Sequence, residues 1–349
     1  MDLMAFESRG GLCRGPALVG GVLAIDAGNS KTDVALVTRD GDVLGTARGP
    51  GFAPQDIGAE SAVAGLAPLV AHAVLAADLD IAPTLGPLTS RLIGCLANAD
   101  LPIEEQRLGD ALRSRRWSEE VTVANDTFAV LRAGTTGDRG VAVVCGAGIN
   151  CVGRRGEQTV RFPALGTISG DWGGGGDLAL AAMWWASRAE DGRGPATTLA
   201  AAIARHFERP SARAVAEAVR LGTVTEADLH QIVPLLFAAA DAGDPTARHL
   251  VVRQAEEIGA MACAALRRLG LLTEPTPLVL GGGVLAAGHP QLMQALDSYL
   301  TLHAPLAQPQ VVTAPPIVGA ALLGLDRLHR SDDTRAAAEK RLRDHYARR

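Results

Sequence analysis

Cysteine is scarce, and the few present show no pairing pattern. Cys13, Cys95, Cys145, Cys151 and Cys263 are odd in number, form no CxxC pair and sit in apolar or glycine-rich surroundings. That usage argues against a disulfide framework or a zinc site and fits reduced thiols in a cytoplasmic protein. A basic excess is also missing. The formal net charge is −5, and outside the C-terminal segment the Lys and Arg residues are dispersed, which disfavours nucleic acid or an anionic membrane as partner. No stretch reaches the ~18 apolar residues that a bilayer span needs. The histidines show no HExxH or other metal spacing. Neither a Walker loop, GxxxxGK[ST], nor a GxGxxG turn leading into a helix is found. The first twenty residues contain Asp2 and Glu7 and lack a continuous apolar segment, so they read as a loose extension or an upstream start rather than a signal peptide.

What is present is a composition able to bury a sizeable core, with 48% hydrophobic and 20% charged residues. At 349 residues about two domains are expected, at roughly 150 residues each. Short apolar runs at 22–25 and 34–37 read as buried strands flanking a polar loop, and the turn "RDGD" at 39–42 returns the chain as a third strand over 43–47. A helical pattern follows over 58–77, in which Pro68 predicts a break or kink. A strand at 91–96, a helix at 104–114 and a strand at 121–124 complete the first half. The second half repeats that order, with strands at 141–144, 151–153 and 159–162. Helices are then expected at 177–189, 196–207, 211–220, 226–240 and 245–269, with late strands at 277–280 and 310–313. The order of elements, rather than the letters, points to a duplicated βββαβα unit.

Each half carries a glycine turn between its first two strands. In "DAGNSKTD", the amides of Gly28, Asn29, Ser30, Lys31 and Thr32 can form an anion-binding nest, with a hydroxyl from Ser30 or Thr32, and Asp26 can hold a hydrated Mg²⁺. A plain hairpin turn explains the same letters. "CGAGIN" supplies Gly146, Ala147 and Gly148 in the matching place, and "LGGGV" at 280–284 leaves Gly281, Gly282 and Gly283 open to close approach by a flat ligand. Three such turns at strand ends, spread over both halves, jointly favour a nucleotide cleft. In "ANDTFAV", Asp126 fits either an N-cap or a proton acceptor for an attacking hydroxyl. In "ALGTISGDWGGGGDLALAAMWW", the four glycines open a helix N-terminus suited to ligand oxygens. There Asp171 can accept bonds from sugar hydroxyls and Asp177 caps or charges the first turn. Trp184 and Trp185 read as packing residues. The final segment, opening on Ser-Asp-Asp and ending basic, reads as one C-terminal helix.

Taken in order, "DAGNSKTD", "ANDTFAV", "CGAGIN", "GDWGGGGDLA", "LGGGV" and "PPIVGAALLG" resemble the BadF/BadG/BcrA/BcrD ATPase family, and within it N-acetylglucosamine kinases of the actin-like superfamily. The resemblance spans residues 20–328. It implies two ribonuclease-H-like domains closing over Mg²⁺-ATP (20–135 and 136–330, with 331–349 as a C-terminal helix), and often a homodimer. By that similarity Asp26 to Thr32 and Gly146 to Gly148 hold phosphates and Gly281 to Gly283 the adenosine. Asp126 is then the catalytic base for a sugar 6-hydroxyl, and Asn125, Asn150 and Asp171 contact the sugar. Three features depart from relatives. The loop "GPGFAPQD" puts Ala53 or Pro54 where family kinases hold the sugar with an Asn, which leaves the amino sugar open among N-acetylglucosamine, glucosamine and muramic-acid derivatives. The cysteine-bearing segment of dehydratase activators is missing, which disfavours an electron-transferring ATPase. The zinc motif of the repressor/ORF/kinase group is also missing.

Overall fold

The computed structural model describes residues 20–79, 86–329 and 331–348. The expected N-terminal extension, with Cys13, lies outside the described residues. Two five-stranded sheets are built from β1 (Val22–Ala27), β2 (Lys31–Val37), β3 (Val43–Pro50), β4 (Thr89–Leu96), β5 (Ser118–Asn125), β6 (Arg139–Cys145), β7 (Ile149–Arg155), β8 (Gln158–Arg161), β9 (Thr276–Gly281) and β10 (Ala307–Val311). The first has the order β3-β2-β1-β4-β5 and the second β8-β7-β6-β9-β10. In each, three antiparallel strands are followed by two parallel ones. The repeat expected from element order is therefore present as topology.

The helices are α1 (Pro54–Ile57), α2 (Ala59–Ala76), α3 (Pro102–Ser114), α4 (Thr127–Gly134), α5 (Gly174–Glu190), α6 (Leu199–His206), α7 (Ala212–Arg220), α8 (Ile232–Asp241), α9 (Pro245–Arg268), α10 (Gly283–Ala286), α11 (Pro290–His303), α12 (Pro316–Leu328) and α13 (Asp332–Ala347). The central strands read as continuous apolar runs because both faces are covered: every residue of β1 is buried. Leu23 and Ile25 face α2 and α3, while Val22 and Ala24 face α12. The second sheet packs on a larger helical core in which α5, α8, α9 and α11 take part.

Several expectations are corrected. Pro68 lies inside α2, which continues past it, so the helix is not broken there. The last strand is Ala307–Val311 rather than 310–313. By length and composition α2 is apolar enough to cross a membrane, against the expectation that no stretch is. Its apolar stripe, Val63, Leu66, Val70 and Val74, is buried in the first core, as in a core helix of a globular fold. Trp185 is partly buried against the second core, whereas Trp184 is half exposed at 52%, with Arg188 over its ring. We keep a boundary near residue 135 as a proposal, with one amendment: α12, assigned by sequence to the second half, packs on β1, β2 and β4 of the first. Its contact with α4 is so close that a Cβ on Gly319 would lie 1.8 Å from the Ala129 carbonyl oxygen. Gly319→Ala is accordingly expected to destabilise the fold by about 1–3 kcal/mol or more, read as a lower urea midpoint at unchanged m-value.

Candidate active site

The two glycine hairpins occupy equivalent places. In the first, Asp26 pairs across the ladder with Asp33 and Ala27 with Thr32, leaving residues 28–31 as the loop. In the second, Cys145 pairs with Ile149, leaving 146–148. Each loop closes on itself, through Gly28 N–H to Lys31 O at 2.9 Å and Gly146 N–H to Gly148 O at 2.9 Å. Both open onto one cleft of about 310 Å³. Its wall includes Gly28, Asn29, Ser30 and Lys31 from the first loop, Gly146, Ala147 and Gly148 from the second, and Gly282 from the β9–α10 turn. Asp26, Asn125, Asp126 and Asn150 line the same space.

Four of the residues singled out in the sequence stand elsewhere. Thr32 is 1% exposed within β2, because it pairs in the ladder instead of belonging to the turn. Gly281 and Gly283 flank the wall without forming it; a Cβ on Gly281 would meet Val130 Cγ1 at 2.6 Å. Asp171 is buried outside the cleft lining and accepts a hydrogen bond from Ser169 Oγ.

The four-glycine segment does something different from what its sequence suggests. Gly175 N–H donates to Gly146 O at 2.7 Å and Gly176 N–H to Ala147 O at 2.9 Å. These amides at the head of α5 are thus spent on the second hairpin, not left for a ligand. Gly174 (φ +85°) lies so close that a Cβ would come within 2.5 Å of the Gly148 backbone, and one on Gly282 (φ +86°) within 2.4 Å of Cys145 O. Residues 145–148 are therefore gripped from both sides by glycines. The first hairpin has its own support: Phe52 N–H donates to Gly28 O at 3.0 Å, and a Cβ on Gly51 would sit 2.0 Å from Asn29 O. Asp177 accepts from Gly173 N–H at 2.8 Å, capping the helix start as expected.

Electrostatically the cleft is a concentration of carboxylates. Asp33 is neutralised by the Arg48 guanidinium, with Nε and Nη2 donating at 2.6 and 3.0 Å. Asp26 has no such partner: burial first, then the charges of Asp126 and Asp33, push its carboxyl well above the ordinary range. Burial raises Asp126 to about 6, opposed by hydrogen bonds from backbone amides including that of Thr127. The Asp126 side chain does not cap α4, although it holds the N-cap position. Asn125 takes that task, its Oδ1 accepting from Thr127 N–H at 3.0 Å and from the Thr127 hydroxyl.

Sequence reading missed Asp100, in the loop between β4 and α3. Its Oδ1 accepts from Asn125 Nδ2 at 2.8 Å and from Asn150 Nδ2 at 3.3 Å, joining the two halves across the cleft. Burial, then Asp126 and Glu104, raise it to about 7, against the lowering effect of Arg161 and the Asn150 bond. Arg161, at the end of β8, donates to the carbonyls of Ala99 and Asp100, both at 2.7 Å, and to Glu105 Oε1 at 2.6 Å. The available signal was positional: Asp100 follows β4 as Asp126 follows β5, at the carboxyl ends of parallel strands where α/β sheets place ligands.

A larger groove of about 760 Å³ lies between β5, α12 and the β7–β8 turn. Neither of the two glycine hairpins lines it, and three of its charged side chains are already partnered: Arg91 with Glu120, Asp326 with Arg132, and Arg327 with Thr122 Oγ1. The smaller cleft is where convergent polar groups with displaced pKa values meet, which marks it as the site.

Duplicated sheets, with paired hairpin loops facing one acidic cleft, define a two-lobed actin-like ATPase fold. The chain belongs to the BadF/BadG/BcrA/BcrD ATPase family, which it matches over residues 23–324. It is 25% identical to an N-acetylmuramic acid/N-acetylglucosamine kinase of Clostridium acetobutylicum, over 76% of this chain and 85% of that one. It is also 25% identical to an N-acetyl-D-glucosamine kinase of Dictyostelium discoideum, over 87% and 97%. Among solved structures, a candidate N-acetylglucosamine kinase from Chromobacterium violaceum shares the fold with a TM-score of 0.65 at 23% identity, covering 87% of this chain and 98% of that one.

Proposed function

We propose that this protein is an ATP-dependent sugar kinase that phosphorylates the 6-hydroxyl of N-acetylglucosamine or a related amino sugar. The observation that carries the reading is the convergence on one cleft of two supported hairpin loops and a carboxylate, Asp126, with no cationic partner among the described residues. Phosphoryl transfer asks the protein mainly for positioning, charge compensation and one proton acceptor, and this cleft has a group for each. The activities of the two relatives above support the same substrate class.

In this reading the backbone of Gly28 to Lys31 and Gly146 to Gly148, apart from the Gly28 and Gly146 amides that close the two turns, holds the phosphates, and Gly282 allows the nucleoside to approach. Asp126 accepts the proton of the acceptor hydroxyl as the oxygen bonds to phosphorus and ADP departs. A base near 6 is ionised at neutral pH yet still basic enough to take a proton in the transition state. Asn125, Asn150 and Asp100 orient the other hydroxyls. Ala53 and Pro54 form the start of α1 and do not line the cleft, so those three residues, with Asn98 beside Asn29, define the acceptor end. Asp171, outside the cleft lining, has no part in this reading of the sugar site.

The residues also fit a magnesium ion. Asp26 and Asp126 are neighbouring carboxylates that raise the proton affinity of Asp26, a situation that a cation relieves. Among the described residues no cluster of three His, Cys, Asp or Glu side chains could hold a metal, so Asp26 would hold Mg²⁺ together with phosphate oxygens and water, as is usual for this ion. Bound there, it would offset charge on the phosphates. A cytoplasmic location and a homodimer complete the proposal.

Initial rates of ADP release across a panel of sugars test it. A rate that requires N-acetylglucosamine, glucosamine or a muramic-acid derivative supports a kinase. Hydrolysis that ignores sugar supports a nucleotide-driven activator instead. For the preferred sugar, kcat/KM should fall about tenfold per pH unit on the acid side of an apparent pKa near 6, a value that belongs to the coupled Asp26, Asp100 and Asp126 cluster. A flat profile between pH 5 and 7 would remove Asp126 from the role of base.

A further inference from the structure

We propose that the C-terminal helix α13 is a strut for the catalytic helix α4, and that Arg132, locked to it, is a positioning residue for Asp126. The family match ends at residue 324, so α13, at Asp332–Ala347, lies beyond it. Helix α4 is only eight residues long and begins directly after Asp126. It spans about 12 Å, and a shift at its far end displaces the near end as a rigid rod.

At that far end Arg132 is 5% exposed. Its guanidinium is forked over two carboxylates from different helices. Nε and Nη2 donate to Asp326 of α12 at 2.7 and 3.0 Å, and Nη1 and Nη2 donate to Glu339 of α13 at 3.1 and 2.6 Å. Nη1 also donates to Thr135 O at 2.7 Å. A planar donor fork held at this many points has one orientation. Arg343, one turn further along α13, donates to Glu339 at 2.8 Å and to the Ala133 carbonyl at 2.8 Å. A cation therefore sits on the C-terminal carbonyls of α4, where the helix dipole favours it. Laterally the Gly319–Ala129 contact leaves α4 no room to slide. Helix α13 is anchored in turn: Ala338 and Leu342 are buried beside Val22 and Ala24, and the Ala338 carbonyl lies against Gly41.

This inference rests on the kinase reading for its rate predictions but not for its structural one. The test uses the full chain with Glu339→Gln and, separately, Arg343→Met, which touches only a partly exposed side chain. Two readouts are taken on folded protein: the kcat and KM values for ATP and sugar, and amide hydrogen exchange at Ala129 and Val130, whose N–H groups donate to Asp126 O at 3.0 and 3.4 Å. Expected are a kcat at least fivefold lower, a KM for ATP within twofold of the parent, and exchange at those two amides at least tenfold faster. The conservative Glu339→Asp should restore part of the kcat. Unchanged exchange at Ala129 and Val130 with kcat within twofold of the parent in both variants overturns the proposal and leaves α13 as ordinary scaffold. If the parent shows no sugar-dependent transfer, the kinase reading fails, and the exchange result alone decides the strut.

Discussion

Asp126→Asn is expected to lower kcat for sugar phosphorylation by about 10²–10⁴, the usual worth of a positioned base, while ATP binding measured by calorimetry stays within a few-fold of the parent. The substitution keeps the shape of the side chain and removes the only property the mechanism needs from it. The same change should make the ligand-free protein more stable. Burial holds the Asp126 carboxyl at about 6 against an ordinary 3.8, so between those values the folded state binds more protons than the unfolded one, and stability falls as pH rises. The penalty is complete above pH 6 and absent below pH 4. A gain of roughly 1–3 kcal/mol from Asp126→Asn is therefore expected at pH 8 and should vanish as pH approaches 4, read as a Tm difference that closes on acidification. A variant that loses activity and stability together would instead point to a structural role for this side chain. That opposition of activity and stability is what a carboxylate kept for chemistry should show.

Gly282→Ala and Gly174→Ala are expected to weaken ATP binding at least tenfold. Both glycines have positive φ, and in both the added Cβ would strike backbone atoms of residues 145–148 at 2.4–2.5 Å. Because the obstacle is main chain and not a flexible side-chain tip, the second hairpin has to move, carrying the amides of Ala147 and Gly148 away from the phosphates. Gly51→Ala should disturb the first hairpin in the same way through Asn29. Gly65→Ala is the control: it lies in α2 with open space where its Cβ would be, and the helix propensity of alanine should leave stability equal or slightly higher. Binding isotherms for the four variants separate loop displacement from general unfolding, since only the first three should lose affinity at a temperature where all are folded.

Much of this architecture could be read from the letters, for physical reasons. The central strands are short apolar runs because they are buried on both faces, and the turns between them are marked by glycine, so the succession of elements and the duplication were legible. The hairpin loops were legible as candidates for the same reason. Contacts made across the chain were not. Nothing near "PPIVGAALLG" tells that this helix returns to β1, some 290 residues earlier, and the small residues that let it approach α4 look like any alanine-rich helix. Asp100 was hidden in "ANAD", an ordinary turn sequence, until Asn125 and Asn150 were found bonded to it. The run of four glycines was legible as a close approach but not as to what approaches: it is the neighbouring hairpin, not a ligand. Asp171 looked equivalent to the cleft carboxylates in sequence and differs only in where its strand-free loop folds.

The most direct test of the account is to identify the product formed from N-acetylglucosamine and ATP by phosphorus–proton correlation NMR. Phosphate attached to oxygen 6 of the sugar, formed in step with ADP and lost in Asp126→Asn, is the predicted result. ADP accumulating with free phosphate and no phosphorylated sugar would contradict it.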